Sequence, residues 1–488
     1  MNSSTPLLTK ETWHERFFSD GWHTASQRAD ILEPATGNVL YRVGVAQPSD
    51  IERAAASARA VQVAWAALGF ERKSTVFRKA AQLLEQHTSD VVGWITRETG
   101  STVPKAHFEV SVTIRCLYEA ASMPSQPNGL TLPSNEGRLS FARRLPLGVI
   151  GVITPFNFPL YLAMRAVAPA LAVGNSVVLK PDLRTPVAGG FLLAQLFEQA
   201  GLPQGLLHVL PGGADAGEAL CTDPHIAMIQ FTGSTATGRR IGALAGQHLK
   251  KLSLELGGKN SLIVLDDADL DLAASNAAFG AYLHQGQICM ASGRVLVQAT
   301  VAAAFCAKIA AKALTLTMGD PSTGAAALGP LITEKQRDRA HGIVHDSIEA
   351  GAKLLAGGTY EGLFYRPTVL SDVRPGMRAF NEEIFGPVVS ITPFDSDEEA
   401  VELANGTDYG LAAAVISRSL ERALAIGNRL RVGLLHINDQ TVNDDVINPF
   451  GGKGQSGNGT NIGGPANWEE FTQWQWVTIK EKPTQYPF

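Results

Sequence analysis

The sequence predicts an α/β protein built on two doubly wound parallel sheets. Short apolar stretches alternate with longer segments of helical periodicity between residues 148 and 231, and the alternation returns between about residues 261 and 438. Such alternation is typical of βαβ units, whose strands pair in parallel. The length of 488 residues also exceeds what one hydrophobic core normally serves, so more than one structural unit is expected.

The first third of the chain has mainly helical patterns. Ser49 and Glu52 fit the capping box Ser-x-x-Glu at the start of an alanine-rich run that reaches Leu68, and a second amphipathic helix is predicted over residues 72–86. Two short β-like segments then flank residues 133–137, which predicts a β-hairpin between Leu130 and Ala142.

The strands of the two sheets are expected at the apolar stretches. In the first region these are residues 148–154, 176–180, 206–210 and 227–231, and in the second they lie near Val295, Val388, Ala414 and Leu435. Residues 145–179 contain a single charge, Arg165, and are long enough to cross a bilayer. Several prolines interrupt this segment, so a buried strand, helix and strand are favoured over a membrane span. Residues 450–464 are glycine-rich and predict a loop near a site, and the last twenty residues predict an added strand.

Composition excludes several classes of protein. The net charge of -5 comes without a basic block, so nucleic acid is not an expected partner. The four cysteines form no CxxC pair, and the histidines show no metal-ligand spacing, so neither a disulfide framework nor a metal site is predicted. Residues 1–10 lack the apolar core of a signal peptide, and a cytoplasmic location is expected.

Two motifs carry the chemistry. Gly286-Gln287-Ile288-Cys289 places a thiol beside a glycine, and a thiol is a useful nucleophile toward a carbonyl carbon. Glu255 lies between leucines and glycines in residues 254–260, where burial would raise its pKa and make it a base. Together they predict acyl chemistry through a thioester.

Further polar groups follow predicted strands, where parallel sheets bind ligands. Asn157 is held in Thr154-Pro155-Phe156-Asn157-Phe158-Pro159 and is a candidate oxyanion donor, although a turn asparagine is the alternative. Lys180 suits ribose or phosphate, and residues 231–238 suit a pyrophosphate at a helix N-terminus, although they do not match GxGxxG. Residues 382–387 offer a carboxylate for a ribose and an aromatic ring for a flat heterocycle. Taken singly, a plain strand-to-helix turn explains residues 231–238 equally well, and an exposed acidic turn is the alternative for residues 382–387. For Lys180 alone, a solvated lysine before a proline turn is the favoured interpretation.

As an ordered set, these motifs resemble the NAD(P)-dependent aldehyde dehydrogenase superfamily from about Trp13 to the C-terminus. The resemblance implies that Cys289 is the nucleophile, that Asn157 and the backbone N–H of Cys289 form the oxyanion hole, and that Glu255 activates the hydrolytic water. It also implies a set of residues that contact the cofactor: Thr154, Pro155, Phe156, Lys180, Gly233, Ser234, Gly257, Glu383 and Phe385.

The same resemblance implies a domain organisation. A cofactor-binding domain is expected over residues 1–125 and 147–256, and a catalytic domain with the nucleophile over residues 257–465. Residues 126–146 and 466–488 are expected to form a small β oligomerisation arm. A two-stranded ribbon is marginal alone, so a homodimer or homotetramer is expected.

The chain departs from common family members at two places. Many members that favour NAD carry a glutamate at the position of Leu183, and its absence here, beside Arg184, leaves NADP accessible although NAD is the first choice. Common members also have Trp-Lys at Arg165-Ala166 and Arg-Glu at Thr460-Asn461. Arg165 in an apolar helix needs a partner, so it either pairs with a carboxylate or faces the substrate channel.

The residues around Cys289 look closest to the benzaldehyde dehydrogenase branch, which implies an aromatic aldehyde as substrate. Six residues would form an apolar slot for a flat ring, although any one of them taken singly is more often a core residue: Phe158, Tyr161, Leu283, Ile288, Met290 and Phe450. His284 either lines this slot or packs beside it. Vanillin-like, salicylaldehyde-like and medium-chain aliphatic aldehydes remain alternatives, as do a relative that acylates coenzyme A and a catalytically silent scaffold.

Overall fold

Two seven-stranded sheets organise the computed structural model, which describes residues 7–488. The strands are β1 (Arg16–Phe18), β2 (Trp22–Thr24), β3 (Gln27–Leu32), β4 (Val39–Val45), β5 (Gly129–Thr131), β6 (Arg138–Pro146), β7 (Val149–Ile153), β8 (Ser176–Lys180), β9 (Leu207–Val209), β10 (Ile226–Thr232), β11 (Lys251–Glu255), β12 (Ser261–Val264), β13 (Arg294–Gln298), β14 (Lys353–Ala356), β15 (Tyr360–Glu361), β16 (Phe364–Tyr365), β17 (Thr368–Ser371), β18 (Val388–Phe394), β19 (Tyr409–Gly410), β20 (Ala412–Ile416), β21 (Leu434–Ile437), β22 (Lys453–Gly454) and β23 (Thr472–Lys480).

The α-helices connect and cover these strands. They are α1 (Lys10–Trp13), α2 (Pro48–Ala66), α3 (Phe70–Gln86), α4 (Thr88–Thr99), α5 (Val103–Ser122), α6 (Pro159–Ala172), α7 (Leu192–Ala200), α8 (Ala214–Thr222), α9 (Thr235–Gln247), α10 (Leu270–Tyr282), α11 (Ala299–Thr315), α12 (Glu334–Glu349), α13 (Arg378–Asn381), α14 (Asp397–Asn405), α15 (Leu420–Gly427) and α16 (Ala466–Phe471).

The first sheet has the strand order β11-β10-β7-β8-β9-β1-β2. Its strands β11 to β9 are mutually parallel, whereas β1 and β2 join antiparallel at one edge. Helices α3, α5, α6 and α7 share a core with one face, and α2, α8 and α9 share a core with the other. Helices on both faces are what a doubly wound sheet requires, and β7, α6 and β8 are the buried strand, helix and strand expected within residues 145–179.

The second sheet has the order β14-β17-β18-β13-β12-β20-β21 and is parallel except for β14. Helices α10 and α11 cover one face, and α14 and α15 cover the other. The predicted α/β class with two doubly wound sheets is therefore confirmed.

A third, antiparallel sheet has the order β23-β6-β5. The predicted hairpin is present, with Leu130 opposite Ala142, and β23 pairs with the whole length of β6, from Thr472 opposite Pro146 to Lys480 opposite Arg138. Leu139 and Trp476 on this sheet are exposed. The sheet thus presents apolar side chains on a surface that the described chain leaves uncovered.

Two expectations for the first third were wrong. Residues 16–45 form strands β1 to β4 rather than continuing the helical pattern, because β1 pairs with β9 far along the chain and β3 pairs with β4. Helix α2 begins at Pro48, and its capping box joins Gln47 and Asp50 rather than Ser49 and Glu52. Proline has no N–H to satisfy and its φ suits the first helical position, so the helix begins two residues earlier than the Ser49 pattern suggests.

Among the helices of residues 7–488, none combines the length and the apolar character that a membrane crossing needs. Cys116, Cys221 and Cys306 lie in α5, α8 and α11 and are free thiols, as is Cys289.

Candidate active site

Four of the predicted site residues follow neighbouring parallel strands of the first sheet. Thr154 comes directly after β7, Lys180 ends β8, Ser234 follows β10, and Glu255 ends β11. The carboxyl ends of parallel strands meet at one edge of a sheet, which is where such sheets bind ligands. These residues therefore share one edge.

Cys289 is presented by a loop with unusual backbone geometry. His284, Gln285 and Gly286 all have positive φ angles, of 49°, 55° and 67°. A side chain at Gly286 would place its Cβ 2.2 Å from the carbonyl oxygen of Gly386, so only glycine fits there. Non-glycine residues in this region are strained, and such strain is characteristic of functional loops.

Asparagine amides hold this loop in place. Asn260 Nδ2 donates to the carbonyl oxygens of Cys289 at 2.8 Å and Ala291 at 3.0 Å. Asn157 Nδ2 donates to the carbonyl oxygen of Gln287 at 2.8 Å. A side-chain amide has two N–H donors, and this hydrogen bond uses only one of those of Asn157. Asn260 and Gln287 belong to the two catalytic sequence motifs. The motifs alone do not reveal that the Asn260 amide and the Gln287 carbonyl hold the loop.

The thiol and the carboxyl group both have pKa values above their ordinary ones. Burial raises the pKa of Cys289 well above its ordinary value, and the nearby carboxyl groups of Glu383 and Glu255 raise it further. Burial also raises the pKa of Glu255, against the opposing charge of Arg165. Within residues 7–488, neither carboxyl oxygen of Glu255 has a hydrogen-bond partner. Desolvation thus makes the Glu255 carboxylate a stronger base than an ordinary glutamate, which suits it to take a proton during the reaction.

A narrow, mainly apolar cleft leads to these groups. Its walls come from α5, α6, the nucleophile loop and the C-terminal loops, and the lining residues are Phe108, Val112, Asn157, Phe158, Tyr161, Leu162, Arg165, Gln230, Thr232, Glu255, Ile288, Cys289, Met290, Val442, Asp444, Phe450 and Ile462.

The cleft includes most of the predicted slot. Phe158, Tyr161, Ile288, Met290 and Phe450 line it, but Leu283 does not and instead packs against the core shared by α5 and α6. His284 is also outside the lining and packs its ring against Phe158, with ring centroids 5.8 Å apart.

Arg165 fulfils both expectations raised for it, because it lines the cleft and pairs with the carboxylate of Asp444. Neither Asp444 nor the wall residues Phe108 and Val112 were predicted. Asp444 lies in a loop far along the chain, and Phe108 and Val112 sit on α5 among ordinary helical residues, so no local pattern marks them.

A buried ion pair supports the segment that carries Asn157. Lys105 and Glu109 on α5 are fully buried, and Lys105 Nζ lies 2.5 Å from Glu109 Oε2. Lys105 also donates to the carbonyl oxygen of Asn157 at 2.7 Å, while Glu109 Oε1 accepts the backbone N–H groups of Leu160 and Tyr161 at 2.9 and 3.2 Å. The pair therefore ties α5 to both ends of residues 157–161. It was not predicted from the sequence.

Glu383, the predicted ribose contact, lies against the glycines that follow Glu255. Glu383 Oε1 accepts the backbone N–H of Gly258 at 3.0 Å, and burial raises the pKa of Glu383 to about 7. A Cβ at Gly257 would lie 2.3 Å from Glu383 Oε2, so the glycine leaves room for this carboxylate. Phe385 packs edge-on against Phe156, with ring centroids 5.9 Å apart.

Arg184 is already engaged. It forms two hydrogen bonds with the carboxylate of Asp182, at 2.8 and 2.6 Å, and its guanidinium lies 4.2 Å from the centre of the Phe156 ring. Although burial opposes ionisation, the hydrogen bonds from Arg184 lower the pKa of Asp182. The pair thus carries no net charge toward a phosphate.

The two doubly wound sheets place a half-buried thiol, a desolvated carboxyl group and an amide donor at one cleft. This arrangement defines an enzyme of carbonyl chemistry. The aldehyde dehydrogenase family model matches residues 22–477, and the chain belongs to this family.

Individual relatives cover almost the whole chain. The chain is 52% identical to a vanillin dehydrogenase of an Amycolatopsis species over 99% of its length and all of the relative's. It is 50% identical to a benzaldehyde dehydrogenase (NAD+) of Pseudomonas putida over 98% of its length and 99% of the relative's. Among solved structures, betaine aldehyde dehydrogenase of Staphylococcus aureus in complex with NAD+ is 30% identical, with a TM-score of 0.95 over 98% of this chain and 97% of the other.

Proposed function

We propose that this protein oxidises an aromatic aldehyde to the carboxylic acid, with NAD as the hydride acceptor. The observation that carries this proposal is an apolar cleft walled by Phe158, Tyr161 and Phe450 that ends at Cys289 and Glu255. Aromatic walls suit a flat ring, and a thiol with a neighbouring base suits its aldehyde group.

The reaction begins at Cys289. Its thiol loses a proton to a base, for which Glu255 is placed in the same cleft, and Sγ then adds to the aldehyde carbon. The oxygen that becomes an oxyanion accepts the free N–H of the Asn157 amide and the backbone N–H of Cys289, which stabilises the tetrahedral adduct. Protonation of that oxygen gives a thiohemiacetal.

A nicotinamide cofactor held at the sheet edge would supply the two-electron oxidation, as the acceptor of hydride from the adduct carbon. The thiohemiacetal hydroxyl loses its proton as the C=O bond forms, and the substrate is left as a thioester on Cys289. Glu255 then takes a proton from water, whose oxygen adds to the thioester carbon. Collapse of this second adduct breaks the C–S bond, releases the acid and restores Cys289.

Residues at the sheet edge fit a dinucleotide. The Thr154 hydroxyl is buried without a partner in residues 7–488, Lys180 ends the neighbouring strand, and Ser234 caps α9, whose N-terminus suits a pyrophosphate. The nicotinamide half of the cofactor would contact Glu383, Phe385, Gly233 and Gly257. The pairing of Arg184 with Asp182 favours NAD over NADP, because a 2′-phosphate would meet a neutralised arginine and the carboxylate of Asp182.

The relatives support the substrate class and the cofactor. The names of two highly similar proteins specify vanillin and benzaldehyde, and one of these names and a solved complex specify NAD+. We extend both properties to this chain because its cleft is lined by aromatic and aliphatic side chains near Cys289.

The domain division and the assembly are also proposals. Residues 1–125 and 147–256 would bind the cofactor, residues 257–465 would carry the nucleophile, and the sheet of β5, β6 and β23 would join copies into a dimer or tetramer. The exposed apolar residues of that sheet, Leu139 and Trp476 among them, support the last point. The four free cysteines suit a reducing compartment such as the cytoplasm.

The test is the initial rate of reduced-cofactor formation with benzaldehyde or hexanal, each with NAD and with NADP. A higher kcat/KM for benzaldehyde with NAD is expected. Preference for hexanal would contradict the aromatic substrate class, and preference for NADP would contradict the cofactor assignment. Cys289→Ala serves as the control for chemistry at the proposed nucleophile.

A further inference from the structure

The strand that ends at Glu255 has one polar face. Lys251, Ser253 and Glu255 alternate along β11 and therefore lie on the same side of it. Leu252 and Leu254, between them, pack on the other side into the core shared with α8 and α9. Ser253 and Glu255 are 1% and 4% exposed, whereas Lys251 is half-buried. A row of polar side chains thus leads from the cleft toward the surface.

The loop before α16 holds the middle of this row. The Thr460 hydroxyl is placed to donate to Ser253 Oγ at 3.1 Å and to Asn458 Oδ1 at 2.7 Å. Asn458 is itself bonded to the strand, because it accepts the N–H of Leu254 at 3.0 Å and donates to the carbonyl oxygen of Leu252 at 2.8 Å. As the acceptor from Thr460, Ser253 keeps its own hydroxyl hydrogen for another partner.

A second buried carboxyl group lies near this face. Glu470 on α16 is 7% exposed, and its Oε2 is buried without a hydrogen-bond partner in residues 7–488. Glu470 is close enough to Glu255 to raise the pKa of that group, and the charge of Lys251 opposes the rise that burial causes in the pKa of Glu470. Lys251 Nζ also donates to the carbonyl oxygen of Glu469, which anchors α16 beside the start of β11. Glu470 therefore interacts with both ends of the polar row.

Glu255 needs a route by which protons leave it. In the proposed reaction its carboxylate takes a proton from water, so at least one proton has to leave Glu255 in every turnover. Glu255 lines the cleft, and the acyl group on Cys289 occupies that side during hydrolysis. The polar row of β11 extends from Glu255 in another direction, along the strand toward Lys251.

We propose that Glu470 accepts the proton from Glu255 through the hydroxyl of Ser253 and releases it to solvent beside Lys251. The protonated Glu255 carboxyl gives its proton to Ser253 Oγ, and the Ser253 hydroxyl gives its hydrogen to the Glu470 carboxylate. Only O–H bonds break and form, and Glu255 is left ionised. Residues two apart on a strand are separated by about 7 Å, so water molecules complete the route between the side chains. This inference rests on the proposed function and adds a step to it.

The first test follows the thioester rather than overall turnover. Acid quenching of single turnovers with NAD and radiolabelled benzaldehyde gives the rate at which the acyl group leaves Cys289, and stopped-flow absorbance gives the rate of reduced-cofactor formation. In Glu470→Gln, thioester hydrolysis is expected to slow by about tenfold or more, whereas reduced-cofactor formation keeps the parental rate. Removal of the Glu470 charge lowers the pKa of Glu255, so such a fall does not come from protonation of the base.

Glu469→Gln is the matched control. Glu469 precedes Glu470 on α16, but its carboxylate is 62% exposed and pairs with Arg144. This variant should hydrolyse the thioester at the parental rate. The inference is overturned if Glu470→Gln also does so.

A rescue experiment separates a proton acceptor from a packing role. Glu470→Ala should hydrolyse the thioester slowly, and sodium formate, a small carboxylate, should restore part of its rate without changing that of the parent protein. Glu470→Asp, which keeps the carboxylate, should be faster than Glu470→Gln. If neither formate nor aspartate restores the rate, Glu470 has a packing role and the inference fails.

A second pair of variants tests the hydroxyl step. Ser253→Ala should also slow thioester hydrolysis, whereas Ser176→Ala should not, although it too removes a buried strand hydroxyl, which donates to the carbonyl oxygen of Ala58 at 3.1 Å. Parental hydrolysis in Ser253→Ala would exclude the route through Ser253. If Glu470→Gln lacks a cooperative thermal transition, Glu470→Asp and the serine pair still decide the matter. A parent protein that oxidises no aldehyde would remove the proposed function, whereas an active parent with unaffected Glu470 and Ser253 variants would overturn only this inference.

Discussion

Replacing Lys105 with methionine is expected to weaken both the fold and the oxyanion site. The side chains of Lys105 and Glu109 are fully buried, so Lys105→Met leaves an uncompensated carboxylate in the core. Breaking a buried pair in this way costs about 3 to 5 kcal/mol of the free energy of unfolding. The variant also loses the hydrogen bond of 2.7 Å that fixes the Asn157 carbonyl.

Loss of that hydrogen bond should affect the hydride-transfer step more than binding. A displaced Asn157 amide is a weakened oxyanion donor, and complete removal of such a donor lowers kcat by about 100- to 1,000-fold. We therefore expect a fall of up to about 100-fold in the pre-steady-state rate of reduced-cofactor formation. Stability is measured by urea unfolding and the rate by stopped-flow absorbance.

A double variant distinguishes the two effects. Lys105→Met with Glu109→Gln removes both charges but keeps the acceptor for the N–H groups of Leu160 and Tyr161, so most of the lost stability should return. The rate should stay low because Asn157 still lacks its support. Lys79→Met, an exposed change on α3, is the control. The reasoning is refuted if Lys105→Met matches this control in both the unfolding midpoint and the burst rate.

Three further outcomes follow from the site. Cys289→Ala should abolish dehydrogenase turnover and leave NAD binding measurable by fluorescence, and retained turnover would exclude Cys289 as the nucleophile. Glu255→Gln should retain a burst of reduced cofactor but stall afterwards. In the parent protein, the rate of acid release should rise as the pH passes through the raised pKa of Glu255, because only the carboxylate accepts a proton. Glu383→Gln should raise the KM for NAD. In the parent protein, the KM for NAD should fall as the pH rises through about 7, where Glu383 ionises. A KM that does not change with pH in the parent protein would contradict a ribose contact.

The alternation of strands and helices could be predicted because each parallel strand is a continuous apolar run bounded by turns. β8 begins and ends where the sequence indicated, at Ser176 and Lys180. Strands β1 and β2 could not be predicted, since they have three residues each and β1 depends on β9, which lies about 190 residues along the chain. Local patterns contain no information about such a partner.

The residues of the candidate site also divide into those that the sequence predicted and those that it did not. Cys289, Glu255 and Asn157 lie in distinctive local motifs, and Arg165 was noticeable as a single charge in an apolar helix. Asp444 and the Lys105–Glu109 pair were not, because a charged residue in a polar loop or at helical spacing is usually solvated. Their importance comes only from the burial that tertiary packing imposes on them.

The pairing of β23 with β6 constrains the timing of folding during synthesis. The two strands lie more than 300 residues apart, so β6 cannot pair with β23 until the last residues of the chain leave the ribosome. At about 5 to 20 residues per second, the ribosome needs roughly 15 to 70 s to make the intervening chain. During that interval β6 has an open edge beside exposed leucines, a surface that invites pairing with neighbouring nascent chains. Slower initiation, which spaces ribosomes along the message, should therefore raise the yield of folded protein.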